Sequence, residues 1–322
     1  MPDITTRTQV TAENQSFYDK NLLFRATPQL VHTKFAQIRD IPRNAGTNTI
    51  KFRRYGNLAA AKTPLTEGIT PAGKQLSITD VTATVAQYGD YVTITDVLDY
   101  ESVDPILMET GEILGDQYAD TIDQLTCDIL NAGSVLARAA ARVSRITIAA
   151  GDVITATLVD TGILTLKNNN CRMITSMVDA STGIATQPIG AAYVAINHTN
   201  LSPKIKAFTG FVKVENYANK ADVMPGEYGY YNNCRFIEST NGKIFTGLGA
   251  AGIDVYSLVI MGQHAYGTTR ISGEAVKNII KPLGSAGTAD ALDQRATSGW
   301  KATFVAKILN DAFIYRIECA LV

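Results

Sequence analysis

TNTIKFRRYGNLAAAKTPLTEGITPAGKQLSITDVTATVAQYGDYVTITDVLDYESVDPILMETGEILGDQYADTIDQLTCDILNAG, residues 47–133, is the stretch on which the fold turns. Thr49–Tyr55 has the β-branched and aromatic composition of a strand. Leu58–Gly73 then carries Pro64, Gly68, Pro71 and Gly73 among polar residues, which excludes a core segment. Leu76–Ile94 returns to β-branched and aromatic residues. Together these predict two long strands tipped by a loop. A loop of that length without a core of its own is usually functional or packed on a partner.

Asp104-Pro105 follows as a helix start, with Asp as the cap and Pro at the first helical position. Leu114, Tyr118, Ile122, Leu125 and Ile129 recur at intervals of 4, 4, 3 and 4, which places them on one face. Glu109, Glu112, Asp116, Asp120 and Asp123 recur at 3, 4, 4 and 3 on another. Gly133 is the expected stop. At ~1.5 Å per residue a helix over 104–133 is about 40 Å long, a rigid spine for a domain.

Charge divides sharply around this stretch. Residues 1–54 hold nine basic and four acidic side chains, a net +5, and residues 75–137 hold twelve acidic and none basic, a net −12. Segments of opposite sign attract each other, within a subunit or between subunits. The whole chain has a net charge of only −1, which argues against tight wrapping by nucleic acid.

The rest of the composition is that of a folded protein: 322 residues, 46% hydrophobic and 18% charged, enough for one large domain or two. Cys127, Cys171, Cys234 and Cys319 form no C-x-x-C unit, and His32, His198 and His264 are scattered. That is neither a disulfide framework nor a zinc pattern. The N-terminus shows no secretory signal, and no apolar run approaches the ~20 residues of a membrane span.

Outside the deciding stretch the reading is coarser. Thr11 caps a predicted helix from Ala12, and apolar spacing at Phe17, Leu22, Leu23, Leu30, Val31 and Phe35, interrupted at Pro28, predicts an arm with one or two helices. Val153–Asn168 reads as a helix, Ala191–Asn197 as a buried strand and Ser202–Phe208 as a short helix. Met224–Asn233 reads as loop. Phe236–Glu238, Lys243–Phe245 and Val255–Met261 read as strands. Lys301–Leu309 and Phe313–Cys319 alternate around Asn310-Asp311, a hairpin signal.

Motifs for chemistry are weak. Gly247-Leu-Gly-Ala-Ala-Gly252 matches the dinucleotide-binding G-x-G-x-x-G, but Ile253–Met261 reads as a strand, which offers no cluster of helix N-terminal amides to a pyrophosphate. No G-x-S-x-G elbow is present, and His198 reads as a strand-end histidine rather than a base. The carboxylates of the long helix lie in a row rather than converging, so they read as a solvated or neighbour-facing stripe rather than a metal site.

The order of parts resembles the major capsid proteins of tailed bacteriophages. Six blocks are similar to one podovirus-type family in that group: Phe17-Tyr-Asp-Lys-Asn-Leu-Leu23, Leu65-Thr-Glu-Gly-Ile-Thr-Pro71, Gln87-Tyr-Gly-Asp-Tyr-Val92, Val255-Tyr256, Lys281-Pro-Leu-Gly-Ser-Ala-Gly287 and Gln294-Arg-Ala-Thr-Ser-Gly-Trp-Lys301. The resemblance implies an α+β capsid fold. Its parts would be an N-terminal arm over 1–46, an extended two-stranded loop over 47–80 and a peripheral domain over 81–150 built on the spine helix at 104–133. A mixed α/β axial domain would span 151–300, and a C-terminal hairpin over 301–322 would return to the peripheral domain.

It also implies the structural subunit of an icosahedral shell, assembled from hexamers and pentamers in a bacterial cytoplasm and located in the virion. Expected partners are further copies of the chain, a portal, separate scaffold and decoration proteins, and enclosed double-stranded DNA held by weak non-specific contact. No catalytic residue, cofactor, metal or membrane is implied. The candidate inter-subunit contacts are Arg39, Arg43, Arg53, Arg54, Pro64, Glu67, Pro71, Glu109, Glu112, Asp116, Asp120 and Asp123. Two other readings stand beside this one: a bacterial nanocompartment shell on the same fold, and a nucleotide-dependent enzyme, which requires a helix from Ile253.

Overall fold

A computed structural model of the chain describes residues 30–43, 46–101, 106–177, 179, 186–272, 276–285 and 290–321. The arm helices expected from Ala12 onward, and the helix start at Asp104-Pro105, lie outside the described residues. The described end of the arm, around Val31 to Ala36, is a run of turns rather than helix. It continues into a short strand β1 (Gln37–Ile38).

The projection forms as its sequence predicts. Strand β2 (Thr49–Tyr55) pairs antiparallel with β3 (Ile78–Thr84), and these two make a sheet of their own. The second predicted strand divides at Val85. Beyond it, β4 (Ala86–Thr95) leaves the projection and pairs with β14 (Arg295–Ile308). A short helix α1 (Asp96–Glu101) and the spine helix α2 (Ile106–Leu130) follow.

The spine helix lies on the sheet that β14 centres. Strand β12 (Tyr266–Thr269) and β13 (Val276–Lys281) pair with β14, β4 pairs with it as well, and β1 adds to β12. Leu114 packs with Trp300 and Ala302, and Ile122 with Phe304 and Ala306, so the apolar face read from the sequence is the face that is buried. Tyr118 meets Trp300 edge-on at 5.3 Å. Gln117 accepts from Trp300 Nε1 at 3.0 Å and donates to Asp90 at 2.7 Å, tying the helix to β14 and β4 through one side chain.

The second sheet runs β5 (Leu136–Arg138), β15 (Ile314–Cys319), β11 (Val255–Met261), β6 (Tyr193–His198), β9 (Cys234–Ser239), β8 (Glu227–Tyr231) and β7 (Val212–Lys213), with β10 (Ile244–Phe245) on β11. Every residue of β11 is buried, because the sheet is covered on both faces. One face packs helix α3 (Ala156–Asn168) through Val159, Ile163 and Leu166 against Leu258, Ile260 and Ile317. The other holds Val31 of the arm with Val194, Ile196, Val259 and Ile314. Helix α3 begins at Ala156 rather than Val153 because the Thr155 side chain caps it, accepting from the Leu158 amide. Gly162 lets this helix approach closely, since a Cβ there would sit 2.6 Å from the Tyr315 ring. Helix α4 (Ser202–Lys206) is shorter than expected.

Two expectations fail. The C-terminal hairpin does not exist: β14 and β15 join different sheets, and Asn310-Asp311 leads a short 3₁₀ turn between them. Strand β15 pairs along its whole length with β11 and in parallel with β5 instead, which outweighs the local turn signal. The Tyr/Gly/Asn-rich stretch Met224–Asn233 is not simply loop, since Glu227–Tyr231 is a strand. Tyr228 packs there among Phe211 and Phe236.

Candidate subunit interfaces

The tip of the projection has no core of its own. Residues 56–77 carry neither helix nor strand, and Pro64, Glu67 and Pro71 are all exposed. Leu65 and Ile69 are 79% and 67% exposed. The loop holds itself only by sparse local bonds: Gly56 N to Ser77 O at 2.9 Å, Ile69 N to Thr66 O at 3.1 Å, and Lys74 Nζ to Ala59 O at 3.1 Å. A lone pair of strands is marginal in water. Arg53 clamps it by a two-pronged bond to Asp80, at 2.9 and 3.2 Å, which holds the Asp80 carboxyl below its ordinary range.

The acidic row on α2 is not one surface. Glu112 and Asp116 are exposed, Glu109 and Asp120 are half-buried, and Asp123 is 1% exposed. Asp123 is a structural residue of this subunit. Its carboxylate accepts from the His32 amide at 2.8 Å and meets His32 Nδ1 at 2.8 Å. Asn241 donates to Asp120 at 2.7 Å and to Asp123 at 3.3 Å. Burial, the largest influence, pulls the His32 pKa down, but the bond to Asp123, with help from Cys127, outweighs it and lifts the value to about 9. The arm is therefore pinned to the spine by a buried ion pair within one subunit. Sequence reading missed His32, which stands 91 positions from its partner.

The basic candidates fall together. Arg39, Arg53 and Arg54 line one cleft of about 400 Å³ between the arm, the base of the projection and the turn after β14. Arg43 is exposed at the end of the described arm. A second groove, of about 610 Å³, crosses the face of the β4–β14–β13 sheet opposite α2, between Tyr91 and Ile279 over Gly299.

Among the described residues nothing resembling a catalytic centre assembles. The Gly247–Gly252 segment ends in a 3₁₀ turn and leads directly into β11, and the Gly247 amide is already taken by Asp254 at 2.8 Å. The helix that nucleotide binding requires is replaced by a strand. His198 closes β6 and caps a short turn by accepting from the Asn200 amide at 3.1 Å. Burial pushes the thiols of Cys171 and Cys319 up to about 11 and about 12, so neither is a ready nucleophile. Among the described residues no group of three or more His, Cys, Asp or Glu is placed to hold a metal ion, and no helix is long and apolar enough to cross a membrane.

The other concentration of charge is internal. Glu318 is fully buried and meets Arg138 at 3.1 Å, Arg145 at 2.5 Å and Arg316 at 3.2 Å. It joins β5 and β15 to the segment after β5.

Neither a protein-family model nor a curated protein matches the chain by sequence. Solved structures do match its fold. The capsid of Ralstonia phage GP4 superposes with a TM-score of 0.74 at 11% identity, covering 99% of this chain and 98% of that one. The cyanophage Pam1 capsid asymmetric unit gives 0.68 at 14% identity, covering 99% and 100%. The capsid of cyanophage P-SCSP1u gives 0.67 at 12% identity, covering 96% and 93%. The chain has, over nearly its whole length, the α+β fold of bacteriophage capsid proteins.

Proposed function

We propose that the chain is the structural subunit of an icosahedral bacteriophage capsid, assembling with copies of itself into hexamers and pentamers around double-stranded DNA. The observation that carries this is the end-to-end fold match to the Ralstonia phage GP4 capsid. The exposed projection supports it, because a subunit that lived alone would gain nothing from apolar side chains held out on a loop without a core. In this reading the role is non-enzymatic. The projection over 47–80 reaches a neighbour, the α2–β14 layer forms the peripheral part and the sheet around β11 and β6 the axial part. The near-neutral chain suits a container that must take in and release its cargo. A portal, a separate scaffold and decoration proteins complete the particle, which forms in a bacterial cytoplasm.

The test is negative-stain electron microscopy of the protein expressed alone and with its neighbouring genes. Closed polyhedral shells or ring-shaped capsomers are expected. A strictly monomeric protein under both conditions would sink the reading.

A further inference from the structure

Charge around Glu318 does not balance. Arg138, Arg145 and Arg316 converge on this one carboxylate, three cations against one anion, a net +2. Strand pairing assembles the group. Strand β5 runs parallel to β15 with Arg138 opposite Glu318, and Arg316 stands two residues before Glu318 on the same face. Arg145 enters from a 3₁₀ turn after β5 (Arg145–Thr147), with its guanidinium 3.4 Å from the centre of the Phe245 ring. The carboxylates on adjoining segments are engaged elsewhere. Asp152 takes a two-pronged bond from Arg142 at 2.7 and 3.2 Å, and Asp311 accepts from the Ser134 amide at 3.0 Å.

Donors are left over in the same place. The Nε–H groups of Arg145 and Arg316 are buried and have no hydrogen-bond partner. Glu318 is already shared: Oε1 accepts from Arg145 at 2.5 Å and Arg316 at 3.2 Å, and Oε2 from Arg138 at 3.1 Å. Burial, the largest influence, pulls the Arg316 pKa down, and the charges of Arg145 and Arg138 add to it, so the value falls below the ordinary one although Glu318 raises it. Buried cations with unmade hydrogen bonds are costly, and a further anion removes that cost. Arg138 and Arg145 are 20% and 25% exposed and open the cluster to solvent, while Arg316 and Glu318 lie behind them, buried. That depth suits a small free ion rather than the backbone of a duplex.

We propose that this cluster is a binding site for a small tetrahedral oxyanion, inorganic phosphate, held by the guanidinium groups of Arg138, Arg145 and Arg316 beside Glu318. Guanidinium forks match phosphate oxygens in pairs, and a dianion balances the net +2. Glu318 holds the three side chains together while cancelling only one of their charges. The site goes beyond the capsid reading and does not depend on it.

Calorimetric titration of the full-length protein with inorganic phosphate, against chloride at matched ionic strength, tests it. Saturable binding in the millimolar range is expected, with a melting temperature that rises and levels off over the same range. Arg145→Gln is expected to weaken binding about tenfold, because a charge-assisted contact is lost. Glu318→Gln takes the cluster from a net +2 to +3 and is expected to tighten binding by a similar factor, a gain that a purely structural ion knot would not give. No saturable signal from the wild-type protein would overturn the site. So would a stabilisation that climbs without levelling off and persists in Arg145→Gln, which is a general effect of the salt. Weaker phosphate binding by a folded Glu318→Gln protein would overturn it as well; if that variant does not fold, the wild-type and Arg145→Gln titrations decide alone. Tighter binding of a short DNA duplex than of phosphate, lost in Arg145→Gln, would overturn the free ion in favour of a nucleic-acid backbone.

Discussion

Replacing Asp123 with Asn removes the anion that pins the arm to the spine helix. His32 and Asp123 are 3% and 1% exposed, so their attraction is little screened by solvent. The rise of the His32 pKa from 6.5 to about 9 converts, at about 1.4 kcal/mol per tenfold, to roughly 3 kcal/mol of stability. The sign follows from the direction of the shift. The folded value lies above the unfolded one, so the contribution is complete below about pH 6.5 and is lost as pH rises through about 9. Urea unfolding of the dispersed subunit, followed by the fluorescence of the single tryptophan, Trp300, reports on the α2–β14 contact directly. Asp123→Asn is expected to cost about 3 kcal/mol at pH 6, with the difference from wild type narrowing to about 1 kcal/mol by pH 10. An equal cost at both pH values would show that the pair is not ionic. A cost under about 1 kcal/mol at pH 6 would refute the reasoning altogether.

Two further outcomes follow from the same geometry. Deleting residues 58–73 is expected to leave a folded subunit that fails to close shells, because the loop is exposed throughout; an unfolded circular dichroism spectrum would contradict this. Glu318→Gln leaves three guanidinium groups around a neutral amide and is expected to cost about 3–5 kcal/mol at pH 7. Burial by itself would raise the Glu318 pKa, but the bond to Arg145 and the charges of Arg316 and Arg138 hold it below the ordinary range. Its contribution is therefore present above that range and lost as pH falls through the folded value, so the difference from wild type shrinks in acid; an unchanged urea midpoint at pH 7 would refute the role.

What the sequence showed was what local chemistry decides. Leu114, Tyr118 and Ile122 announced the buried face of α2 by spacing alone, and Pro64, Gly68 and Pro71 announced a loop outside any core. Long-range pairings stayed hidden. Asn310-Asp311 looks like a hairpin turn, and nothing near it reveals that β15 prefers β11 and β5 to β14. The stripe of five carboxylates looked uniform because periodicity reports position on a helix and not what faces it. Only the return of His32 and Asn241 from distant segments divides the row into an inner and an outer half. The cleft was equally invisible, since Arg39 and Arg54 come from different elements.

The separation of β14 and β15 bears on the timing of synthesis. In the first sheet β4, β12 and β13 all pair with β14, and in the second β15 stands between β5 and β11. Residues 295–319 thus supply the central partner of one sheet and a bridging strand of the other. A growing chain holds two unfinished sheets until that stretch has been made, and α2 has no floor on which to lay Leu114 or Ile122 before then. Neither the layer that carries α2 nor the larger sheet closes before residues 295–319 have been made.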